Sequence, residues 1–342
     1  MSELRLDPLS SDWVIVGSKP GSKAQDFRRT KLLDAKPHFL DSCPFCPGNE
    51  DLTPSELYAL WDQHQNHWEM RVVPDKFPVL AREGVAEPQI HRLHRSVKGV
   101  GRHDVIVETP DHSLSLHSFP DAHLEELFLI YRACLGIMTS DLQVEHVTIF
   151  RNHLAHAGST LDHPHSQVIG TPIVPPYISV RLAEAMHYYR EFDQCLFCAL
   201  LAQELEENRR IVAQSKYFVA FEPFASPSPF VTYICPRRHR ASFGAINKEE
   251  IEDLAPMLKG ILANLYFGLN DPDYCFAIRT APKGHDEVAY FHWYISIVPQ
   301  LNHSNSLERA SVIPVNPIFP EDAAAFLNEV KLEKEHPSCL AV

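Results

Sequence analysis

Short apolar segments rich in β-branched and aromatic residues recur along the chain, separated by Pro, Gly, Asn and Asp clusters. Strands are expected at 13–16, 68–74, 104–108, 144–152, 217–221, 230–235, 274–279 and 290–298. Two stretches carry apolar positions at helical spacing instead. In 124–138, Leu124, Leu127, Ile130, Tyr131 and Cys134 fall on one face, and 251–269 repeats the pattern. Residues 177–205 read as partly helical, interrupted by Cys195-Leu196-Phe197-Cys198. Residues 316–330 open with prolines and end as a short helix. Residues 17–42 form a polar stretch with Pro20, Gly21 and Pro37, read as a long loop. Lys19, Lys23, Arg28, Arg29 and Lys31 make it either a solvated surface or an arm that reaches a phosphate.

One predicted strand carries unusual chemistry. Thr160-Leu161-Asp162-His163-Pro164-His165-Ser166-Gln167 runs into the apolar Val168-Ile169-Gly170. Side chains at i, i+2 and i+4 of a strand share a face, so His163, His165 and Gln167 are expected on one surface. Such a face can bind a metal, attack phosphorus or donate hydrogen bonds to phosphate oxygens. The plain alternative is a histidine-rich surface loop.

Cysteine usage bears on that choice. Four of the eight cysteines form two C-x-x-C pairs, Cys43/Cys46 and Cys195/Cys198. Two thiolates on the tight turn Cys43-Pro44-Phe45-Cys46-Pro47-Gly48 can reach one tetrahedral zinc. A thioredoxin-like redox pair needs a strand-to-helix junction, and Pro47-Gly48 opens a helix poorly. Cys134 reads as a core residue of its helix.

Composition narrows the function classes. A chain of 342 residues, 45% apolar and 22% charged, has the make-up of a globular protein with room for two core-forming units. A net charge of −13 without a long basic run argues against non-specific binding to nucleic acid or to an anionic membrane. An anionic substrate then needs a local positive pocket. No apolar run approaches membrane-spanning length, and Met1-Ser2-Glu3-Leu4-Arg5 lacks a signal layout. Cys339-Leu340-Ala341-Val342 has a C-a-a-X outline but reads as a frayed tail. The cytoplasm is the expected location.

The two halves repeat one layout: C-x-x-C, a histidine after a strand, a helix, a strand, then another histidine. His112 and His163 are 51 residues apart, His239 and His292 53. An α+β pseudo-dimer is expected, with a boundary near Pro175-Pro176 dividing 1–175 from 176–342. Each half then offers a Cys₂His₂ set: Cys43, Cys46, His112 and His163 in the first, Cys195, Cys198, His239 and His292 in the second. Four protein ligands close a zinc shell, so both sites are expected to be structural. Catalysis falls to His165, beside the first set; Tyr294 stands at its place in the second half.

These residues resemble the galactose-1-phosphate uridylyltransferase branch of the histidine-triad superfamily. The resemblance rests on Cys43-Pro44-Phe45-Cys46, Pro110-Asp111-His112-Ser113, Phe150-Arg151-Asn152, Ala157-Gly158 and His163-Pro164-His165-Ser166-Gln167 in the first half. In the second it rests on His292-Trp293, Pro299-Gln300-Leu301 and Asn316-Pro317-Ile318-Phe319-Pro320-Glu321-Asp322. The second zinc set, with Leu269-Asn270-Asp271-Pro272 and Val298-Pro299-Gln300 around it, looks close to the plant ADP-glucose phosphorylase-like branch.

The resemblance implies two histidine-triad-like repeats with antiparallel sheets and packed helices, two structural zinc ions and a homodimer. It implies a double displacement in which His165 attacks the α-phosphorus of a nucleotide sugar and a sugar 1-phosphate leaves. A hexose 1-phosphate or orthophosphate then takes the nucleotide. Gln167 would donate a hydrogen bond to the transferring phosphoryl oxygens. Asn152 would contact phosphate or nucleotide, Glu308 the hexose hydroxyls, and Arg151 and Ser166 count among the substrate contacts. Three readings remain open: a UDP-glucose:hexose-1-phosphate uridylyltransferase, taken first; an ADP-glucose phosphorylase; and a zinc-stabilised nucleotide-binding protein without turnover. The chain departs from the family pattern at Ser18-Lys19-Pro20-Gly21-Ser22-Lys23, which lacks arginine, and at Leu154 and Arg309-Ala310-Ser311, where glycine is usual.

Overall fold

The computed structural model describes residues 1–19, 21–29, 35–62, 67–301 and 306–330. Its strands run in chain order as β1 (Glu3–Leu6), β2 (Trp13–Val16), β3 (Tyr58–Trp61), β4 (Trp68–Pro74), β5 (Pro88–His91), β6 (His94–Val97), β7 (Arg102–Val107), β8 (His146–His153) and β9 (His165–Thr171). They continue as β10 (Ile211–Gln214), β11 (Phe218–Phe221), β12 (Thr232–Pro236), β13 (Tyr274–Arg279), β14 (Tyr294–Pro299) and β15 (Val315–Asn316). The α-helices are α1 (Asp121–Thr139), α2 (Pro176–Phe192), α3 (Leu196–Glu207), α4 (Lys248–Leu269), α5 (Ser306–Ser311) and α6 (Pro320–Glu329).

Ten strands form one antiparallel sheet in the order β10-β11-β12-β14-β13-β8-β9-β7-β4-β3. The order is a mirror image about its centre. From either edge it runs first, second, third, fifth and fourth strand of a half. In each half the long helix, α1 or α4, follows the third of those strands. The halves meet where β8 pairs β13. The α+β class and antiparallel sheet are therefore as expected. The hairpin β5–β6 is extra to the first half.

Apolar faces explain the helices. Leu124, Leu127, Phe128, Tyr131 and Leu135 of α1 are buried with Ile251, Leu254, Leu258 and Ile261 of α4 in one cluster. Asn247 caps α4 by accepting from the Glu250 N–H, and the Glu250 carboxylate accepts from Asn247 in return. The helical stretch after Pro175 breaks at 193–195, so Cys195 caps α3 and Cys198 lies inside its first turn.

Residues 1–19 and 21–29 lie on the second half. β2 pairs with β1 and, in parallel, with β15. Arg5 donates to the Phe224 carbonyl and to Glu321. Arg28 donates to Asn270 at 2.9 Å, and Arg29 pairs with Asp273. Those two arginines are thus tied to the turn after α4 rather than held as a free phosphate arm. Lys31 and the tail from 331 onward, Cys339 included, lie outside the described residues.

Two predicted strands start later than expected, at His165 and Tyr294, so His163 and His292 sit in the turns that lead into them. The β7–β9 pair, which positions His165 and Gln167, needs glycine at its far end. A Cβ on Gly101 would stand 2.2 Å from the Gly170 carbonyl oxygen, which belongs to paired backbone and cannot turn aside. Gly101→Ala is expected to destabilise the fold by about 1–3 kcal/mol. The check is a lower urea midpoint with an unchanged slope.

Candidate active site and metal centre

The turn 43–48 brings two thiols together because Asn49 ties it closed: its amide donates to the carbonyls of Asp41 at 3.0 Å and Cys43 at 2.8 Å. His112 follows the Pro110-Asp111 turn beyond β7, and His163 precedes β9. The ring nitrogen His163 Nδ1 lies 3.7 Å from both Cys43 Sγ and Cys46 Sγ, and 3.2 Å from His112 Nδ1. Cys46 Sγ lies 3.6 Å from His112 Nδ1. Ordinary zinc–sulfur and zinc–nitrogen bonds on a tetrahedron place S and N about 3.6 Å apart and two N about 3.4 Å apart. The four donors therefore fit one tetrahedral ion.

Protonation fits as well. His163 Nε2–H donates to the Thr109 carbonyl at 2.7 Å, which leaves the Nδ1 lone pair facing the thiols. Burial holds His163 down to about 4 and lowers His112 too, so both rings are neutral, as ligation requires. Burial pushes the Cys46 thiol up to about 11, a cost that a bound cation offsets.

His165 opens β9 two residues on. It is buried, and its Nδ1–H donates to the His163 carbonyl at 2.8 Å. The lone pair is therefore on Nε2. Burial lowers its affinity for a second proton. The ring tilts against Phe45 at 5.4 Å and lines a cavity of about 540 Å³ with Phe45, Val73, Asp75, Lys76, Phe77 and Gln167. Phe45 stands edge-on to His163 as well, at 6.0 Å. The expected three-residue face is thus split. His165 and Gln167 line the cavity, and His163 turns to the thiols.

Two expected substrate contacts are buried behind β9. Ser166 alternates to the opposite face of β9 and is fully buried. Its hydroxyl donates to Glu108 and lies 2.5 Å from the Tyr131 hydroxyl. Arg151 is buried beside it: Nε donates to Glu108 at 3.0 Å and NH1 to the Tyr274 hydroxyl at 3.3 Å. Neither lines the cavity beside His165. Asn152 is half-buried near the end of β8, against Gly158, where a Cβ would meet its amide nitrogen at 3.2 Å. Glu308 accepts from the Val315 N–H at 2.8 Å and is absent from the cavity lining.

The second set is three-quarters assembled. Donor atoms of Cys195, Cys198 and His239 lie within 4.8 Å of one another. His239 Nδ1 is 3.4 Å from Cys198 Sγ. Its hydrogen bond with Cys195 raises the affinity of the ring for a proton. His292 is not in the group. Its ring packs on His239 at 5.4 Å with an 81° tilt, close to the arrangement of His112 and His163, but Nδ1 donates to the Trp293 carbonyl and Nε2 is buried without a partner.

Sequence reasoning missed His103, whose Nε2 lies 3.0 Å from Gln167 Oε1, and the cavity walls Asp75, Lys76 and Phe77. The available signal was strand alternation, which puts His103, Val105 and Val107 on the face that carries His165.

The family model described as galactose-1-phosphate uridyl transferase, N-terminal domain, matches residues 1–175. The chain is 32% identical to ADP-glucose phosphorylase of Arabidopsis thaliana, over 96% of this chain and 93% of that one. It is 27% identical to galactose-1-phosphate uridylyltransferase of Thermotoga maritima, over 97% and 100%. The crystal structure of the Arabidopsis phosphorylase with bound ADP-glucose superposes with a TM-score of 0.81, at 31% identity and 97% and 99% coverage.

The pair beneath His165 gives a stability prediction. Arg151→Met leaves the buried Glu108 carboxylate without its cation and is expected to cost about 3–5 kcal/mol. Equilibrium denaturation reads it out; a loss within about 0.5 kcal/mol, as for a surface residue, would contradict the pairing.

Proposed function

This chain belongs to the galactose-1-phosphate uridylyltransferase family, and from that premise we infer that it transfers a nucleotidyl group from a nucleotide sugar through a covalent nucleotidyl-His165. The observation that carries the reading is the hydrogen bond from His165 Nδ1–H to the His163 carbonyl, which leaves Nε2 unprotonated beside the cavity. In the first step Nε2 attacks the α-phosphorus. The phosphorus–nitrogen bond forms and the bond to the sugar 1-phosphate breaks. In the second, an oxygen of an incoming phosphate attacks the same phosphorus and the imidazole leaves. Imidazole suits both roles near neutral pH. Gln167 offers an uncharged donor where charge develops on the phosphoryl oxygens. The nucleotide occupies the cavity bounded by Phe45 and Phe77, with Lys76 as the nearby cation.

For the acceptor, we place phosphorolysis of ADP-glucose first and exchange between UDP-glucose and a hexose 1-phosphate second. That reverses the order taken from the sequence. The greater likeness to ADP-glucose phosphorylase favours it. The reading without turnover is weakened by an intact His165–Gln167 pair in an open cavity.

Zinc suits the first donor set, Cys43, Cys46, His112 and His163, and when bound it supplies a fixed charge that holds the two rings and thiols in place. A second zinc at Cys195, Cys198, His239 and His292 fits once the His292 ring turns its unpartnered Nε2 to the thiols. We take residues 1–175 as the catalytic half and 176–342 as a second histidine-triad-like half. A homodimer belongs to the same reading and is tested by sedimentation. No helix among the described residues is long and apolar enough to cross a membrane.

Incubation with ADP-glucose and with UDP-glucose should leave a nucleotide adduct on His165, and the added mass names the base. His165→Gly should lose exchange by at least about 10³-fold. A wild type that takes up neither nucleotide would overturn the reading. Metal analysis should find two zinc ions per chain, and Cys46→Ser should lose one of them along with thermal stability.

A further inference from the structure

We propose that His103 is a positioning residue for this transfer: it holds the side-chain oxygen of Gln167 and so turns that amide's N–H pair toward the phosphoryl group on His165. The proposal rests on the nucleotidyl-transfer reading above. His103 is buried on β7 opposite Ile169, and its neighbour Val105 stands opposite Gln167. His103 and Gln167 are therefore diagonal partners on one face, within reach for long side chains.

The direction of the contact follows from the other ring nitrogen. The Val79 N–H points at His103 Nδ1 at 3.4 Å. A nitrogen that accepts carries no proton, so the neutral ring has its hydrogen on Nε2. That Nε2–H donates to Gln167 Oε1 at 3.0 Å. Asp75 stands on the same edge, its Oδ2 3.4 Å from His103 Nε2, and favours the same tautomer. Asp75 is itself held, accepting from the Phe77 N–H at 2.6 Å.

A glutamine amide is two-sided. Turned one way it donates to a phosphoryl oxygen; turned the other it presents its own oxygen and repels one. With Oε1 held by His103, flipping would set two N–H groups against each other. Gln167 Nε2 makes no hydrogen bond among the described residues, and the side chain lines the cavity beside His165. His103 does not line it. Its effect on the reaction therefore runs through Gln167.

Single-turnover nucleotidylation of His165, followed by protein mass with ADP-glucose and UDP-glucose, tests this on the full chain. His103→Leu should slow the step by about 10–100-fold, part of what loss of a whole transition-state donor costs, with nucleotide-sugar affinity nearly unchanged. His103→Gln, which can still donate, should restore most of the rate. His103→Glu has the same shape but only accepts, and should not. In a Gln167→Ala background His103→Leu should have no further effect, because both changes remove one interaction. A His103→Leu rate equal to wild type, equal rates for His103→Gln and His103→Glu, or a double variant slowed by the full product of the two single effects would overturn the proposal. Should His103→Leu fail to fold, the Gln-against-Glu contrast decides. Absence of adduct on the wild type removes the transfer reading and this proposal together, whereas normal adduct formation with any of the adverse variant results removes this proposal alone.

Discussion

One backbone carbonyl decides which nitrogen of His165 is free. The His163 carbonyl takes the Nδ1 proton, and that is possible only because His163 itself cannot move. Its Nε2–H is bound to the Thr109 carbonyl, and its Nδ1 faces Cys43, Cys46 and His112. Thr109 lies just past β7, whose pairing with β9 sets Val107 opposite His165. The Cys₂His₂ cluster, the strand pair and the His165 ring are thus one unit. Loosening any of them frees the imidazole to rotate, and its Nε2 lone pair no longer faces the cavity.

The reverse side of β9 is held by charge. Glu108 is fully buried, and it meets Arg151, Ser166 and, through Ser166, Tyr131. Burial alone would lower the affinity of Arg151 for its proton, but Glu108 beside it raises it on balance. A satisfied pair of this kind contributes little net stability compared with apolar packing. What it does is fix strand position, since each member has a single acceptable partner geometry. β9 is therefore clamped on both faces, by ligands on one and by an ion pair on the other.

Much of this was legible from local pattern. The period-two segments became the sheet, and the C-x-x-C turn with His112 and His163 became the donor set. Ser166 could have been placed by alternation, since His165 and Gln167 already claimed the other face. Arg151 could not. Its partner Glu108 is 43 residues away, and nothing local distinguishes a buried arginine from a surface one. The short strands β3 and β5 lack a clear period-two pattern: β3, at the sheet edge, is apolar at all four positions, and β5 is exposed throughout. The docking of residues 1–19 and 21–29 on the second half is likewise a long-range matter. His292 was assigned by spacing, which matched; its ring orientation is set by the Trp293 carbonyl, which spacing does not report.

The mirrored sheet raises the question of why only the first half has an open cavity at the strand that His165 opens. Tyr294 opens β14 as His165 opens β9, and Ser296 follows where Gln167 does. Tyrosine in place of histidine is only part of the answer, because the space beside Tyr294 is also filled. The Tyr177 hydroxyl of α2 lies 3.1 Å from that of Tyr294, and Arg181 stacks on Tyr177 at 3.6 Å. Phe197 packs on Tyr294 at 4.7 Å. The space left among Leu9, Arg181, Phe197, His292 and Tyr294 is about 10 Å³, against about 540 Å³ beside His165. A cleft plugged by a helix admits no nucleotide, so restoring histidine at 294 alone would not restore a site. The second half has a different use. Through β13 it pairs Phe276 with Arg151 and Cys275 with Asn152, and so supplies the outer support for the strand that carries the ion pair under His165.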